Sequence, residues 1–242
     1  MKMKKIKLSS LFSVIAVVMS FMILAPFAKA GTISDNFNDG NTDGWLSARS
    51  GQGELGNWRI SNGVLVEDSG HDHQKFLLNG YPAANQSIET KILFHNDGYA
   101  GITVWYQDDN NWIDVYIYPG HFLRVLESVD GVIQSTIYPD SSDKMTWYTM
   151  RVDANSLTGE LAIFLDGTHL QTHIVTTTHR VGLSGLNSGN AGGSFDDFQI
   201  TSNELSPTNK DQCKNDGWKT FSNPSFKNQG DCVSFLTVEA NK

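Results

Sequence analysis

From Ile33 to Thr201 the chain is a succession of short runs in which apolar and polar residues alternate, each cut off by Gly, Asn or Asp. Alternation of this kind marks half-buried strands, and no helical period of three to four residues interrupts it. Candidate strands cover 33–37, 58–60, 64–67, 75–78, 87–94, 101–107, 112–118, 122–128, 132–138, 147–153, 160–165, 168–173, 180–186 and 194–201. Ser61-Asn62-Gly63, Asp108-Asp109-Asn110-Asn111, Asp130-Gly131 and Asp166-Gly167 supply tight turns between them. About fourteen short strands in succession fit an all-β fold, a two-sheet antiparallel sandwich or jelly roll.

The ends of the chain have a different character. Lys2, Lys4, Lys5 and Lys7 precede an apolar stretch from Leu11 to Ala25, and Ala28-Lys29-Ala30 follows. A basic start, a short apolar run and a small-x-small site together predict a secretory signal peptide over 1–30. The alternative, an uncleaved anchor, needs about 20 apolar residues, and the run is shorter. Cleavage predicts a secreted, extracellular or periplasmic protein with no membrane span. The whole chain has 18 Lys plus Arg against 26 Asp plus Glu, a net charge of −8. Loss of five lysines with the peptide takes the mature charge to 13 − 26 = −13. That balance excludes a nucleic-acid partner, which needs clustered cations.

The sandwich domain is expected over 31–202, with a polar, Pro-containing linker at 203–211 and a small segment at 212–242. Cys213 and Cys232 are the two cysteines of the chain. Export predicts a disulfide between them, in a tail too short for much of a core. Neither has a second Cys two residues away, so a zinc ribbon is not expected.

Strand parity nominates a face, because alternate side chains point to opposite sides. Ile113, Val115 and Ile117 would point inward and Trp112, Asp114 and Tyr116 outward. On 101–107 the inward set is Ile102, Val104 and Tyr106, which turns Trp105 out. The same reading sends Ile88, Thr90, Ile92, Leu123, Val125, Tyr148, Met150 and Val152 inward. Glu89, Arg124 and Arg151 then face out. The candidate ligand-binding set is therefore Glu89, Trp105, Trp112, Asp114, Tyr116, Arg124 and Arg151. Rings that stack on a pyranose beside groups that hydrogen-bond hydroxyls are what a sugar site requires. An ordinary solvated sheet face with cross-strand ion pairs is the competing explanation.

A series of motifs carries a family resemblance. Asp35-Asn36-Phe37-Asn38-Asp39-Gly40 and Asp43-Gly44-Trp45 come first, then Trp58-Arg59-Ile60-Ser61-Asn62-Gly63-Val64-Leu65. Gly101-Ile102-Thr103-Val104, Trp147-Tyr148-Thr149-Met150-Arg151-Val152 and Phe164-Leu165-Asp166-Gly167 follow. Arg180-Val181-Gly182-Leu183 and Phe195-Asp196-Asp197-Phe198 close the series. Together they resemble the concanavalin A-like, laminin-G-like jelly-roll domains of secreted bacterial carbohydrate-active proteins. The resemblance runs from about Gly31 to Ser202 and implies a glycan partner. It also implies a structural calcium ion held by Asp35, Asp39 or Asp43 together with Asp196 or Asp197, since calcium takes six to eight oxygens from irregular loops. The two-cysteine tail is similar to a C-terminal segment of other secreted prokaryotic proteins, with no chemistry attached.

Catalytic constellations are sparse. No Glu-x-Asp-x-x-Glu string is present to supply the paired carboxylates of a retaining glycosidase. Gln171-Thr172-His173 matches a lyase tripeptide without the flanking motifs. His71-Asp72-His73 could share a metal from one strand, but reads better as a polar loop at the sheet mouth. Non-catalytic carbohydrate binding is thus the expected function. A glycan hydrolase or lyase with an unrecognised site and a structural or adhesion protein are the alternatives.

Overall fold

A computed structural model describes residues 31–50, 55–95, 98–202, 210–214, 217–221 and 226–239. The expected signal peptide and nearly all of the linker lie outside the described residues. Fifteen strands are present among the described residues. They are β1 (Gly31–Asp35), β2 (Trp45–Ala48), β3 (Trp58–Ser61), β4 (Val64–Glu67) and β5 (Gln74–Leu78). Next are β6 (Gln86–Phe94), β7 (Tyr99–Asp108), β8 (Asn111–Tyr118), β9 (Phe122–Val129) and β10 (Val132–Pro139). The last are β11 (Trp147–Asn155), β12 (Glu160–Leu165), β13 (Thr168–Ile174), β14 (Leu183–Gly189) and β15 (Gly193–Ser202). One helix, α1 (Gln229–Glu239), lies in the tail.

The strands form two antiparallel sheets. The eight-stranded sheet runs β13-β12-β11-β6-β15-β4-β3, with β1 also paired to β15. The seven-stranded sheet runs β10-β9-β8-β7-β14-β5-β2. Three hairpins close on the dipeptides that the sequence marks: Asn62-Gly63, Asp130-Gly131 and Asp166-Gly167 all have positive φ at both residues. That is the turn whose twist matches paired strands.

The core lies between the sheets. Ile88, Ile92, Met150, Val152, Phe195 and Ile200 meet Ile102, Val104, Ile113, Val115, Ile117 and Val125 there, all buried. Each such side chain contributes about 1.5–3 kcal/mol by leaving water. Parity assigns nearly all of them correctly. The exception is β7, whose pairing with β8 shifts register between Val104 and Asp108. Trp105 sits in this bulge with φ 53°. Its ring turns inward, is fully buried in the core and donates from Nε1 to the Ala84 carbonyl at 2.7 Å. Tyr106 is displaced to the outer face. An extra residue reverses the alternation beyond it, so both expectations for this pair are corrected.

A polar link joins the sheets at one end. His173 on β13 has Nε2 2.9 Å from Glu127 Oε1 on β9, and its Nδ1 is 2.8 Å from the Tyr138 hydroxyl on β10. Glu127 also accepts from the backbone N–H groups of Thr176 and Thr177. In the tail, Cys213 and Cys232 form the expected disulfide and are fully buried.

Candidate functional site

The outer face of the seven-stranded sheet is unlike a solvated sheet surface. Register places Lys75 of β5, Asn187 of β14, Gly101 of β7, Tyr116 of β8 and Arg124 of β9 side by side across it. Thr103 and Asp114 are opposite each other in the next row. Lys75, Asn187, Thr103 and Asp114 are all completely buried although they lie on this outer side. Lys75 reaches past the intervening strands, on which Gly101 and Gly185 put no side chain in its path. Its Nζ donates to Asp114 Oδ2 at 2.8 Å and to Ser50 Oγ at 2.7 Å. The ammonium also lies 3.9 Å from the centre of the Trp112 ring. Thr103 Oγ1 donates to the other Asp114 oxygen at 2.7 Å. Asn187 makes no hydrogen bond through either side-chain atom.

Aromatic rings enclose this polar floor. Tyr99, Tyr106, Trp112 and Tyr116 form a buried apolar cluster with Leu77 and Leu126. Tyr99 stacks on Tyr116 at 4.1 Å and 26°. A side chain at Gly189 would run into the Tyr99 ring, so that glycine is required by close packing. The loop before β5 bends inward at His73, which has φ 52°. The His73 backbone N–H donates to the Tyr99 hydroxyl at 2.8 Å, and that hydroxyl donates to Asp72 Oδ1 at 3.0 Å. His73 Nδ1 is 3.0 Å from the same hydroxyl and 3.9 Å from Asp114 Oδ2. Arg124 Nη1 donates to the Tyr116 hydroxyl at 3.2 Å, while its Nε has no hydrogen-bond partner. Its guanidinium also lies 4.4 Å from the Phe122 ring centre.

Burial governs the ionisation of these groups. It lowers the Lys75 pKa, opposed by the Asp114 charge and hydrogen bond. Burial also lowers the His73 pKa, against the attraction of Asp114 and with help from Lys75. Tyr99 and Tyr116 are raised, mainly by burial. At neutral pH the site therefore presents neutral phenols and a largely neutral imidazole beside the mutually bonded Lys75 and Asp114. Asp114 is committed to Lys75 and Thr103. Asp72, His73 and Arg124 are the polar groups of the site that extend toward solvent.

No protein-family model matches the chain, and no curated protein is significantly similar to it. Solved structures do share its architecture. One is a carbohydrate-binding module, CBM66, from Bacillus subtilis: TM-score 0.57, 17% identity, covering 66% of this chain and 96% of that one. A β-glucanase from Bacillus licheniformis has a TM-score of 0.53 at 14% identity, covering 71% of this chain and 98% of that one. A β-1,3-1,4-glucanase from a mouse hindgut metagenome has a TM-score of 0.52 at 10% identity, with the same coverage. The chain has the concanavalin A-like jelly-roll fold.

The jelly roll divides the expected ligand set between opposite sides of the molecule. Trp112, Asp114, Tyr116 and Arg124 come together on the seven-stranded sheet. Glu89 and Arg151 are cross-strand neighbours on β6 and β11, in the eight-stranded sheet. There Arg151 lies over the Phe164 ring at 4.0 Å, with Nε 3.3 Å from Asp153 Oδ1. Trp105 is on neither outer face. Parity separates inward from outward but does not say which layer a strand joins, and the jelly roll changes layers between β6 and β7 and again between β10 and β11.

Most of the expected calcium ligands have protein partners of their own. Asp35, Asp39 and Asp197 border one cleft together with Glu89. Asp35, however, accepts from the Phe37 N–H and the Trp45 indole, Asp39 from the Asn41 N–H, and Asp197 is paired with Lys91 at 2.7 Å. Asp196 accepts from the Asp197 N–H, and Asp43 lies in a turn held by Asn41. Among the described residues no group of three or more His, Cys, Asp or Glu side chains is placed to hold a metal ion. His173 of the lyase-like tripeptide is enclosed in the inter-sheet link.

Sequence reasoning did not nominate Lys75, Tyr99, Thr103 or Asn187, and it assigned His73 only to a polar loop. Lys75 carries the one legible signal: the alternation of Phe76 and Leu78 puts it outward, where a lysine is normally solvated.

Proposed function

We propose that the protein binds glycans without processing them, on the outer face of the seven-stranded sheet around Tyr116, Arg124 and His73. The observation carrying this reading is the dry polar floor beneath the aromatic cluster. A fully buried Lys75–Asp114 pair and an unpartnered Asn187 cost stability that a plain sheet face would avoid. The part-exposed rings of Tyr118 and Phe122 at the margin of the buried cluster supply stacking surface, and Arg124, His73 and Asp72 supply directional contacts to hydroxyls. The similarity in fold to a carbohydrate-binding module supports the reading.

Hydrolysis is the second reading, because similar folds include a glycosidic hydrolase and β-glucanases. The state of Asp114 favours binding over it. A carboxylate tied to an ammonium and a hydroxyl is a poor acid, base or nucleophile, and raised phenols are poor bases. We read residues 1–30 as an export signal, so the disulfide-closed chain from Gly31 works outside the cell.

A glycan array with residues 31–242 tests the proposal. Selective retention is expected, weakened at least tenfold by Arg124→Ala and by His73→Ala. Arg151→Ala, on the opposite sheet, leaves it unchanged. Equal retention by all variants refutes the site. Release of reducing ends from a retained glycan replaces binding with hydrolysis.

A further inference from the structure

Among the described residues, strand β10 is an unguarded sheet edge. It has eight residues, pairs only with β9 and shows no register shift in that pairing. It carries no charged residue, and Val132, Ile133 and Ile137 are 66%, 53% and 53% exposed. Proteins usually protect such edges with charges, bulges or short length. The other free edges here have those protections. Strands β2 and β3 have four residues each, and β3 bears Arg59. β13 is broken by a register shift, and β1 ends in Asp35.

The open side of β10 is also self-complementary. Asp130-Gly131 is a two-residue hairpin loop, so its closing pair, Val129 and Val132, exchanges backbone bonds. Alternation then aims the N–H and C=O groups of Ile133, Ser135 and Ile137 away from β9. Pro139, which has no N–H, ends the series. Around Ser135 the sequence reads the same in both directions by type: Ile133 and Ile137 flank Gln134 and Thr136.

We propose that two copies of this chain pair antiparallel through β10, about a two-fold axis at Ser135. In that register Ser135 faces its own counterpart and Ile133 faces Ile137 of the other copy. Each outward N–H meets an outward C=O, and the isoleucines cover one another on one face. No like charges are brought together, which matters in a chain as acidic as this one. Single-edge pairing buries roughly 1,000 Å² or less, the range of weak, concentration-dependent association. The axis is perpendicular to the sheet, so the two seven-stranded sheets join into one and their outer faces look the same way. If the glycan reading above holds, the dimer presents two sites to one polymer, with a gain in avidity and no new ligand contact.

Sedimentation of the secreted chain without ligand, from about 1 µM to about 1 mM, tests pairing independently of glycan binding. A reversible monomer–dimer equilibrium is expected. Ser135→Lys sets two cations face to face at the axis on an exposed site, and should weaken the dimer at least tenfold with an unchanged melting curve. Ser135→Cys tests register, because the two native cysteines are already paired. It should cross-link copies on mild oxidation, whereas Gln134→Cys, which faces Thr136 of the other copy, should not. A monomer throughout the range, or a dimer indifferent to Ser135→Lys, overturns the proposal. Equal cross-linking by both cysteine variants overturns the register. A dimer that retains no glycan leaves the pairing intact and refutes the glycan reading alone.

Discussion

Replacing Asp114 by Ala probes whether the outer face of the seven-stranded sheet is dry. Asp114 is fully buried and, among the described residues, is the only carboxylate bonded to the equally buried Lys75. Its removal leaves an ammonium with one hydroxyl, from Ser50, and the Trp112 ring. Breaking one side of a buried pair costs about 3–5 kcal/mol, several times the value of an exposed pair. Lys75→Met, Asp114→Asn together remove both charges and keep an acceptor for Thr103, so the double variant should be more stable than Asp114→Ala. Urea unfolding with the disulfide intact measures both. The pH dependence supplies an internal check. Burial lowers the folded Lys75 pKa below 10.5, and Asp114 opposes that shift. Without Asp114 it falls further, so over a wider range below the ordinary lysine value the unfolded state binds more protons than the folded one. Stability then rises with pH. The deficit of Asp114→Ala should therefore shrink as pH climbs from about 7 toward about 10. A cost below about 1 kcal/mol, independent of pH, would mean that the pair is solvated and that the argument for a built site fails.

Three further outcomes follow from other parts of the molecule. Burial raises the Glu127 pKa, but hydrogen bonds from His173, Thr176 and Thr177 outweigh it and hold the group below its ordinary value. Its contribution, about 1–3 kcal/mol, is present above the unfolded pKa and disappears as pH falls through the folded one; Glu127→Gln should flatten the acid limb of the stability–pH curve, and an unchanged limb refutes the role. Trp105→Ala should cost about 3–5 kcal/mol by opening a core cavity, while the folded fraction keeps full glycan retention; lost retention at full folding would return Trp105 to the site. Reduction of Cys213–Cys232 removes a constraint of about 3 kcal/mol on a loop of this size, so α1 should become protease-sensitive while the sandwich unfolds at the same urea concentration. A shared shift of both would show that tail and sandwich unfold together.

The sequence carried most of the fold because a sandwich core is written in alternation. Ile113, Val115 and Ile117 are inward for the same reason that Trp112, Asp114 and Tyr116 are not, and turn residues such as Asp130-Gly131 fix where the alternation restarts. The unread parts have local causes. β2 is four residues long, with Trp45 and Leu46 adjacent, too short for an alternation to show. Helix α1 contains Gly230 and β-branched residues, which mask its start signal: Asn228 Oδ1 accepts from the Asp231 N–H, and Asp231 accepts from the Lys227 N–H. The division of the candidate site has a different cause. Glu89 finds Arg151 beside it through a pairing between β6 and β11, and Asp114 finds Lys75 across two intervening strands. Neither relation has a periodicity to read.

The error at Trp105 and the construction of the site are linked. A regular β7 would put Trp105 on the outer face and Tyr106 in the core. The bulge exchanges them. The larger, less polar ring fills the interior, where its N–H finds the Ala84 carbonyl. The phenol moves to the outer cluster, where its hydroxyl donates to Asp109 at 2.7 Å, itself 3.7 Å from Arg49. Neither ring would be as well placed under strict alternation: an outward Trp105 would leave the core a void, and an inward Tyr106 would bury a hydroxyl away from Asp109. The positive φ at a bulky residue is therefore a local strain offset by two favourable placements. Bulges beside a binding face re-aim side chains in this way, and one such exchange both spoils the parity reading and extends the aromatic wall over Lys75 and Asp114.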